Sequence, residues 1–226
     1  SKGLAEVVKI LLAKKANPNI ASLADNSTPI YAVMSKNNAA SKENLEIIEL
    51  LLKNNANLYI KTINGENAVS MGSKNTDPEA VKKLQEAIAN YANINNLVTI
   101  WEKSADSEAI QGNKQPDEEK NVPAIPNDKS KRDIDLINDF FEVCKKGDQK
   151  EVEKLLVHNI NLNIKNTEGF SGLHLAIMNE KFKIVILLLE KGADPNIKGK
   201  DDEYPLWLMV ERYIEICNKA SLNKDE

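Results

Sequence analysis

Apolar residues recur every three or four positions in several stretches of the chain, which is the spacing of one face of an α-helix. The clearest examples are "EVVKILLAKK" (6–15), "LEIIELLLKN" (45–54) and "KIVILLLEKG" (183–192). Each of these stretches ends in a turn rich in Asn, Asp, Gly or Ala. The pattern therefore predicts a chain built largely from short amphipathic helices.

One of these helices belongs to a longer unit, "NTEGFSGLHLAIMNEKFKIVILLLEKGADPNIK" (166–198). Gly169 stands in the turn that opens the unit, at a position that needs a positive φ. Gly192 follows the second helix, where glycine is a typical C-terminal stop. The same order of turn, first helix and second helix recurs elsewhere in the chain, which predicts a repeat protein.

The unit at 166–198 resembles one ankyrin repeat, which is a β-turn followed by two antiparallel helices with a period of about 33 residues. "SGLHLA" (171–176) stands where that family has Thr-Pro-Leu-His-x-Ala, and "KIVILLLEKGADPN" (183–196) matches its second helix. The resemblance implies an all-α repeat solenoid of about five ankyrin repeats with short β-turn fingers. It also implies that His174 makes structural hydrogen bonds around its turn.

The same register places further repeats at 133–165, 23–61 and 62–95. The first helix of 133–165 is polar, and the second helix of 62–95 has Lys and Gln in place of part of the Leu run. Both features are typical of repeats that cap an array, because the outer face of a cap meets water.

The two groups of repeats are separated by residues 104–131. This stretch has three prolines, scattered charges and few apolar residues, which predicts a linker without a core of its own. The predicted domains are therefore 1–103 and 132–226.

A split repeat is predicted from two incomplete stretches. Residues 199–226 begin a repeat but contain no second helix, and residues 1–22 contain a second helix without a first. Together they would form one repeat, in which each apolar side chain contributes ~1.5–3 kcal/mol when it is buried. Three arrangements fit this pattern: a circular permutant, a homodimer that exchanges halves, and a fragment of a longer array. The oligomeric state is left open between a monomer and a half-swapped homodimer.

The charge balance argues against some classes of partner. The net charge is −4, and of the 30 basic residues only Arg132 and Arg212 are arginines. Neither feature favours nucleic acid or an acidic membrane surface, and the abundance of Lys and Asn indicates an AT-rich genome. No apolar run is long enough for a membrane span and residue 1 opens no signal peptide. The compartment is left open between cytoplasmic and exported.

Chemical motifs are scarce in this sequence. His158 is expected at the exposed end of a second helix, Cys144 and Cys217 are expected to be buried free thiols, and "GKDDEY" (199–204) is expected to be a solvated loop. Metalloprotease, hydrolase and phosphate-binding signatures are all missing. The sequence therefore predicts no enzyme, no catalytic residue, no cofactor and no metal site.

The predicted function is the binding of a partner protein along the concave face that the resemblance implies, made of fingertips and first helices. Alternatives are a targeting domain of a larger enzyme or secreted effector, and an engineered or permuted scaffold without a selected ligand. Phe170 and Ile63 are expected to be apolar fingertips, which either contact the partner or pack against a neighbouring finger. The candidate partner-binding residues are Thr167, Glu168, Phe170, Met178, Asn179, Lys200, Asp201, Glu203, Glu211, Arg212, Asp25, Ser27, Lys36, Ile63, Asn64 and Glu66.

Overall fold

The computed structural model describes residues 2–35, 42–74 and 131–222, together with a few single positions between 78 and 89. Most of the predicted helix within 79–95 lies outside the described residues, as do the predicted linker up to residue 130 and the candidate Lys36. Within the described part of the chain the regular structure is helical. Its only strand-like feature is an isolated antiparallel bridge between Lys165 and Ser171.

The described helices are short, apart from those that open at residues 131 and 205. Their bounds are α1 Lys2–Ala13, α2 Pro29–Met34, α3 Lys42–Lys53, α4 Ala68–Ser73, α5 Lys131–Lys146, α6 Gln149–Leu156, α7 Gly172–Met178, α8 Phe182–Glu190 and α9 Pro205–Leu222, with a short 3₁₀-helix at Lys200–Asp202.

Polar side chains start several of these helices. The Thr28 hydroxyl accepts a hydrogen bond from the Tyr31 N–H, and Pro29 occupies the first turn of α2, where its missing N–H costs nothing. At α4 and α7 the cap is reciprocal. In each of the pairs Asn67–Ser70 and Ser171–His174, the side chain of one residue accepts a hydrogen bond from the backbone N–H of the other. At these three helices, the capping residue and the residue three positions later thus form a helix start signal.

The chain divides into two compact units. Of the described residues, one unit contains those between 17 and 89, and the other contains 2–16 together with 131–222. Helix α1 therefore belongs to the same unit as α5–α9, although the rest of the N-terminal half does not.

The unit that holds α5–α9 has two layers of helices. The first helices α5, α7 and α9 pack side by side, with α7 in contact with both neighbours. The second helices lie behind them: α6 packs on α5, α8 on α7, and α1 on α9. Helix α8 also contacts α6 and α1, so α1 occupies the place of a third second helix.

The core of this unit lies between the two layers and is almost entirely aliphatic and aromatic. These residues are all fully or nearly fully buried: Phe140, Leu173, Ile177, Ile184, Leu188, Met209, Tyr213, Val7, Val8 and Leu11. The predicted buried thiol at Cys144 is confirmed, and the side chain of Cys217 is outside the described residues.

The unit that holds α2–α4 is built in the same way. Helix α2 packs against its own second helix α3 and against α4, the first helix of the next repeat. Its core is aliphatic too. It contains the buried residues Ile30, Val33 and Met34 of α2 and Ile47, Ile48 and Leu51 of α3.

Asparagine side chains link successive repeats at the loops that follow the second helices. In one unit the Asn163 Oδ1 accepts from the Asp194 N–H at 2.9 Å. In the other unit Asn19 holds the corresponding loop: its Oδ1 accepts from the Asn57 N–H at 2.6 Å, and its Nδ2 donates to the Asn55 carbonyl at 3.0 Å. These bonds satisfy backbone groups that the turn leaves without helical partners.

Candidate functional site

The turn that precedes α7 is a tight finger, closed by its own backbone. The Asn166 N–H donates to the Phe170 carbonyl at 2.8 Å, and the Gly169 N–H donates to the Asn166 carbonyl at 3.0 Å. Gly169 has a φ of 88°, as its position in the sequence predicts. Thr167 and Glu168 lie at the exposed tip. The finger therefore presents two polar side chains to solvent on a backbone that is closed by hydrogen bonds.

The next finger has the same closure without glycine at the turn. The Gly199 N–H donates to the Glu203 carbonyl at 2.7 Å, while Asp201 and Asp202 take up positive φ values of 53° and 60°. Aspartate tolerates this region better than most residues, because its side chain can bond locally. Lys200 and Asp201 are exposed at the tip, and Asp202 pairs with Lys198.

His174 joins these two consecutive repeats. Its imidazole is completely buried; Nε2 lies 3.1 Å from the Glu203 carbonyl oxygen and Nδ1 lies 2.7 Å from the Ser171 Oγ. A carbonyl can only accept, so Nε2 carries the proton and Nδ1 accepts from Ser171. Burial lowers the pKa of His174 to about 4, which keeps the ring neutral. The geometry supports the structural role of His174 that the ankyrin resemblance implies.

Carboxylates gather on α9 and on the finger that precedes it. Partial burial raises the pKa of Glu211, and the negative charges of Glu203 and Glu215 raise it further. Desolvation likewise raises the pKa of Glu203. Arg212 Nη1 lies 2.6 Å from the Glu215 carboxylate and partly offsets this charge. Among the residues described, no group of His, Cys, Asp and Glu side chains could hold a metal ion.

The fingers of the other unit are held together edge to edge. The Ile63 N–H donates to the Asp25 carbonyl at 2.9 Å, and the Asn26 Nδ2 donates to the Lys61 carbonyl at 2.5 Å. Each finger is also closed internally, by Ser22 to Ser27 in one and by Thr62 to Glu66 in the other, both at 2.8 Å. The two fingertips are therefore fixed relative to one another.

Both of these fingertips carry an exposed aliphatic side chain. Leu23 is 70% exposed and Ile63 is 71% exposed. The sequence pattern predicts Ile63 as an apolar fingertip but does not identify Leu23. The finger of Leu23 (22–27) is one residue longer than the finger at 62–66. If the two fingers are aligned backwards from their capping residues Thr28 and Asn67, the position of Ile63 corresponds to Ala24. If the extra residue is allowed for, it corresponds to Leu23.

Three candidate residues of these fingers have partners within the protein. Glu66 accepts from the Tyr31 hydroxyl at 2.8 Å and pairs with Lys74. The hydrogen bond from Lys74, followed by that from Tyr31, lowers the pKa of Glu66. Burial, with the Glu66 hydrogen bond second, raises the pKa of Tyr31 to about 12. The Asp25 Oδ1 accepts from the Ser27 hydroxyl at 2.6 Å.

The expectation that Ser27 faces a partner is corrected by its burial, since only 5% of the residue is exposed. Phe170 is also not a free fingertip: it is half-buried, with its ring centroid 6.1 Å from that of His174. The exposed candidates are Thr167, Glu168, Asn179, Lys200, Asp201, Glu211, Ile63 and Asn64, and the half-buried ones are Met178, Glu203, Arg212, Asp25 and Glu66.

The side chains that could have carried chemistry are placed as structural or solvent-facing groups. His158 is exposed beyond the end of α6, as predicted. Burial raises the pKa of the Cys144 thiol to about 12, and a protonated thiol is a poor nucleophile. In the part of the chain that the structure describes, no helix combines the length and apolar character needed to cross a membrane.

Comparison with known proteins places this architecture in one family. The family model for ankyrin repeats in three copies matches residues 133–218. An ankyrin repeat protein of Fowlpox virus is 39% identical over 72 residues, which cover 32% of this chain and 10% of the relative. Alpha-latrocrustotoxin-Lt1a of Latrodectus tredecimguttatus is 31% identical over 139 residues, 60% of this chain and 10% of the toxin.

A longer match reaches beyond the region of the family model. An ankyrin repeat protein of Acanthamoeba polyphaga mimivirus is 28% identical over 206 residues, which cover 83% of this chain and 27% of the relative. The chain thus spans between about a tenth and about a quarter of the length of these relatives. The motifs, the helix pairs and these matches agree: the chain is built from ankyrin repeats, and the family model matches them over residues 133–218.

Proposed function

We propose that this chain binds a partner protein through its fingers and first helices, with Leu23 and Ile63 as apolar anchors. The observation that carries the proposal is the exposure of these two aliphatic side chains, about 70% each, on neighbouring fingertips. Burial of each side chain against a partner contributes ~1.5–3 kcal/mol. Aliphatic side chains held exposed on a surface commonly mark a contact site.

The geometry of the fingers favours binding as well. Backbone bonds from Ile63 to Asp25, together with the closure of each finger, hold both anchors before a partner arrives. Little conformational freedom is then lost on binding, which reduces the entropic cost of association. Ankyrin repeats in general act as protein-binding modules rather than catalysts, and the proposal follows that general role.

The fingers of the other unit offer a different surface. Thr167, Glu168, Lys200 and Asp201 form an exposed polar and mixed-charge set. Mixed charges contribute more to orientation and to the choice of partner than to affinity. We assign them the role of selecting a partner for that unit, and we assign Leu23 and Ile63 the role of anchoring a partner on their own unit. Neither set favours nucleic acid, which binds to clustered basic residues.

Photo-crosslinking in an extract of the cells that make the protein tests this proposal. A benzophenone amino acid is placed at Leu23 or at Ile63 in the full chain, and at Val157 as a matched control. Val157 is also aliphatic and is 73% exposed, but it follows α6, away from any finger. We expect the same discrete adduct from positions 23 and 63 and none from position 157.

Competition with unlabelled protein separates specific binding from chance contact. Excess unmodified chain should abolish the adduct, whereas excess Leu23→Ser/Ile63→Ser chain should not. A Val157→Ser competitor should act like the unmodified chain. Equal adducts at all three positions, or equal competition by the Leu23→Ser/Ile63→Ser variant, would contradict the proposal.

A second candidate is a targeting role within a larger polypeptide. The similar proteins are several times longer than the region that matches, since this chain covers 10%, 10% and 27% of them. In that case the surface described above would position an activity located elsewhere. An immunoblot of the native protein tests this candidate: a mass well above 25.2 kDa favours it, and a mass near that value opposes it.

A further inference from the structure

Helix α1 has an apolar face that is buried as completely as the centre of the molecule. Leu4, Val7, Val8, Leu11 and Leu12 are each no more than 3% exposed. Their spacing is that of one face of a helix. Glu6 and Lys9 point outward and approach to 3.6 Å in an exposed ion pair. The whole apolar face of α1 is therefore packed against the protein.

The surface that buries this face belongs to residues at the other end of the sequence. Helix α1 packs against α8 and α9. A Cβ atom on Gly3 would lie 3.7 Å from the Phe182 ring at the start of α8. In the loop that follows α1, the Lys15 carbonyl accepts a hydrogen bond from the Asn196 Nδ2 at 2.8 Å, across 181 positions of sequence. Contacts at both ends of α1 thus fix its position along α8.

The loop after α1 repeats the loop after α8 in detail. The Ala193 N–H donates to the Leu188 carbonyl at 2.9 Å, and the Ala16 N–H donates to the Leu11 carbonyl at 2.9 Å. The residue before each alanine has a positive φ, 94° at Gly192 and 71° at Lys15. Both loops then continue with an Asx turn, at Asp194 and at Asn17.

The bond between Asn196 and Lys15 also reproduces a bond between repeats that are contiguous in sequence. The Asn19 Nδ2 donates to the carbonyl of Asn55, the residue with positive φ in the loop that follows α3. In the same way, the Asn196 Nδ2 donates to the carbonyl of Lys15, the residue with positive φ in the loop that follows α1. In position, packing and loop bonding, α1 stands where the second helix after α9 belongs.

We propose that the face of α8 and α9 is a binding surface for an amphipathic helix, and that its ligand is the segment 2–16 of the same chain. The stacking order in this unit is then α5–α6, α7–α8 and α9–α1. The surface selects apolar residues at the positions of Leu4, Val7, Val8 and Leu11, followed by a small residue at Ala16.

Cross-linking in solution tests the position of α1. Cysteines replace Gly3 and Phe182 in the full chain, with Cys144→Ala and Cys217→Ala as background, and a short bifunctional thiol reagent is added. A control places the second cysteine at Lys154, an exposed residue of α6. We expect efficient intramolecular cross-linking for the 3–182 pair at every protein concentration, and much less for the 3–154 pair.

Two results would overturn the proposal. Failure of the 3–182 pair to cross-link above the 3–154 control would mean that α1 is not docked on α8. Cross-linked dimers whose fraction rises with protein concentration, without the intramolecular product, would mean that a second copy supplies the helix. Mass spectrometry of the digested product separates these outcomes.

A second experiment tests recognition itself. The full chain with Val8→Asp and Leu11→Asp should release α1 and leave its surface open. A fluorescent peptide of residues 2–20 should then bind to this variant and not to the unmodified chain, as measured by anisotropy. The same peptide with Leu11→Asp is the matched control and should not bind. A folded variant, judged by its circular dichroism, that binds neither peptide would contradict the proposal.

Discussion

His174 is one of two histidines in the sequence, and it is completely buried whereas His158 is exposed. Its neutral ring accepts from Ser171 within its own turn and donates to the Glu203 carbonyl of the next finger. Gly199 allows this contact, because a Cβ atom there would lie 2.8 Å from His174 Nε2. A single side chain therefore closes one helix start and supports the following finger.

The buried imidazole should make stability depend on pH. Its pKa is about 4 in the folded chain and 6.5 without the fold, so the unfolded chain binds the proton more readily between these values. The stabilisation is complete above pH ~6.5 and is lost as the pH falls towards ~4. The free energy of unfolding should fall by on the order of 3 kcal/mol across this window.

Urea unfolding of the wild type and of His174→Asn, from neutral pH down to pH ~4, isolates this effect. Carboxylates titrate in both proteins and cancel in the difference, and His158 is present in both. The gap between the two unfolding midpoints should shrink steadily as the pH falls below ~6.5. A gap that stays constant over the whole range would show that the ring titrates normally.

At the scale of elements, α5 and α7 pack closely because a large residue of α5 faces a small residue of α7. Gly172 occupies the position where the family has proline, and a Cβ atom there would lie 2.7 Å from the Phe140 ring and 3.1 Å from the Cys144 Sγ. Phe140 is fully buried. The departure from the family motif at Gly172 is thus explained by the residue packed over it.

Gly172→Ala should therefore destabilise the fold, although alanine is the better helix former by about 1 kcal/mol. Overpacking of this kind costs roughly 1–3 kcal/mol. Phe140→Leu removes the ring edge, so the double variant should be more stable than the sum of the two single changes predicts. Thermal or urea unfolding of the four proteins gives the coupling energy. Additive effects would mean that the two residues do not compete for space.

At the scale of the whole molecule, two compact units share one construction. Each stacks first helices side by side, packs second helices against them, and fixes the loops with asparagine side chains. The difference lies in the fingertips, which are aliphatic at Leu23 and Ile63 but polar at Thr167 and Lys200. Repetition of one packing scheme therefore leaves the exposed tips free to vary.

Helix α1 gives a prediction at this scale. Leu11→Ala should cost about 2–5 kcal/mol, because the side chain is fully buried. The loss should appear as reduced hydrogen-exchange protection in α8 and α9, far away in sequence. Lys9→Ala, on the exposed side of the same helix, should change little. Loss of protection confined to residues near Leu11 would contradict the packing of α1 on that unit.

Several features of the fold follow from residue patterns alone. Apolar spacing predicts the helices, Gly169 predicts a turn with positive φ, and Gly192 predicts the end of a helix; both glycines have a positive φ. The ankyrin resemblance at 171–176 implies a structural His174, and the ring is buried with a bond to Ser171 in its own turn. These features are predictable because each depends on residues close together in the chain, whose geometry a short pattern constrains.

The candidate surface is predictable only in part. Ile63 and the polar tip residues are exposed as expected, but Ser27 is held inward by Asp25, and Phe170 lies against His174. Leu23 escapes the pattern because a one-residue difference in finger length shifts the register. Solvent exposure at a fingertip depends on these small displacements, which a repeat alignment does not resolve.

The sequence by itself determined the repeat unit, its turns and its aliphatic core, because a helix pair with one apolar face is a local property of the chain. Only the tertiary structure decided what covers that face. The sequence left α1 with several open arrangements, and packing set it against α8 and α9, with Lys15 bonded to Asn196. The physical reason is that burial rewards any matching apolar face regardless of its distance along the chain.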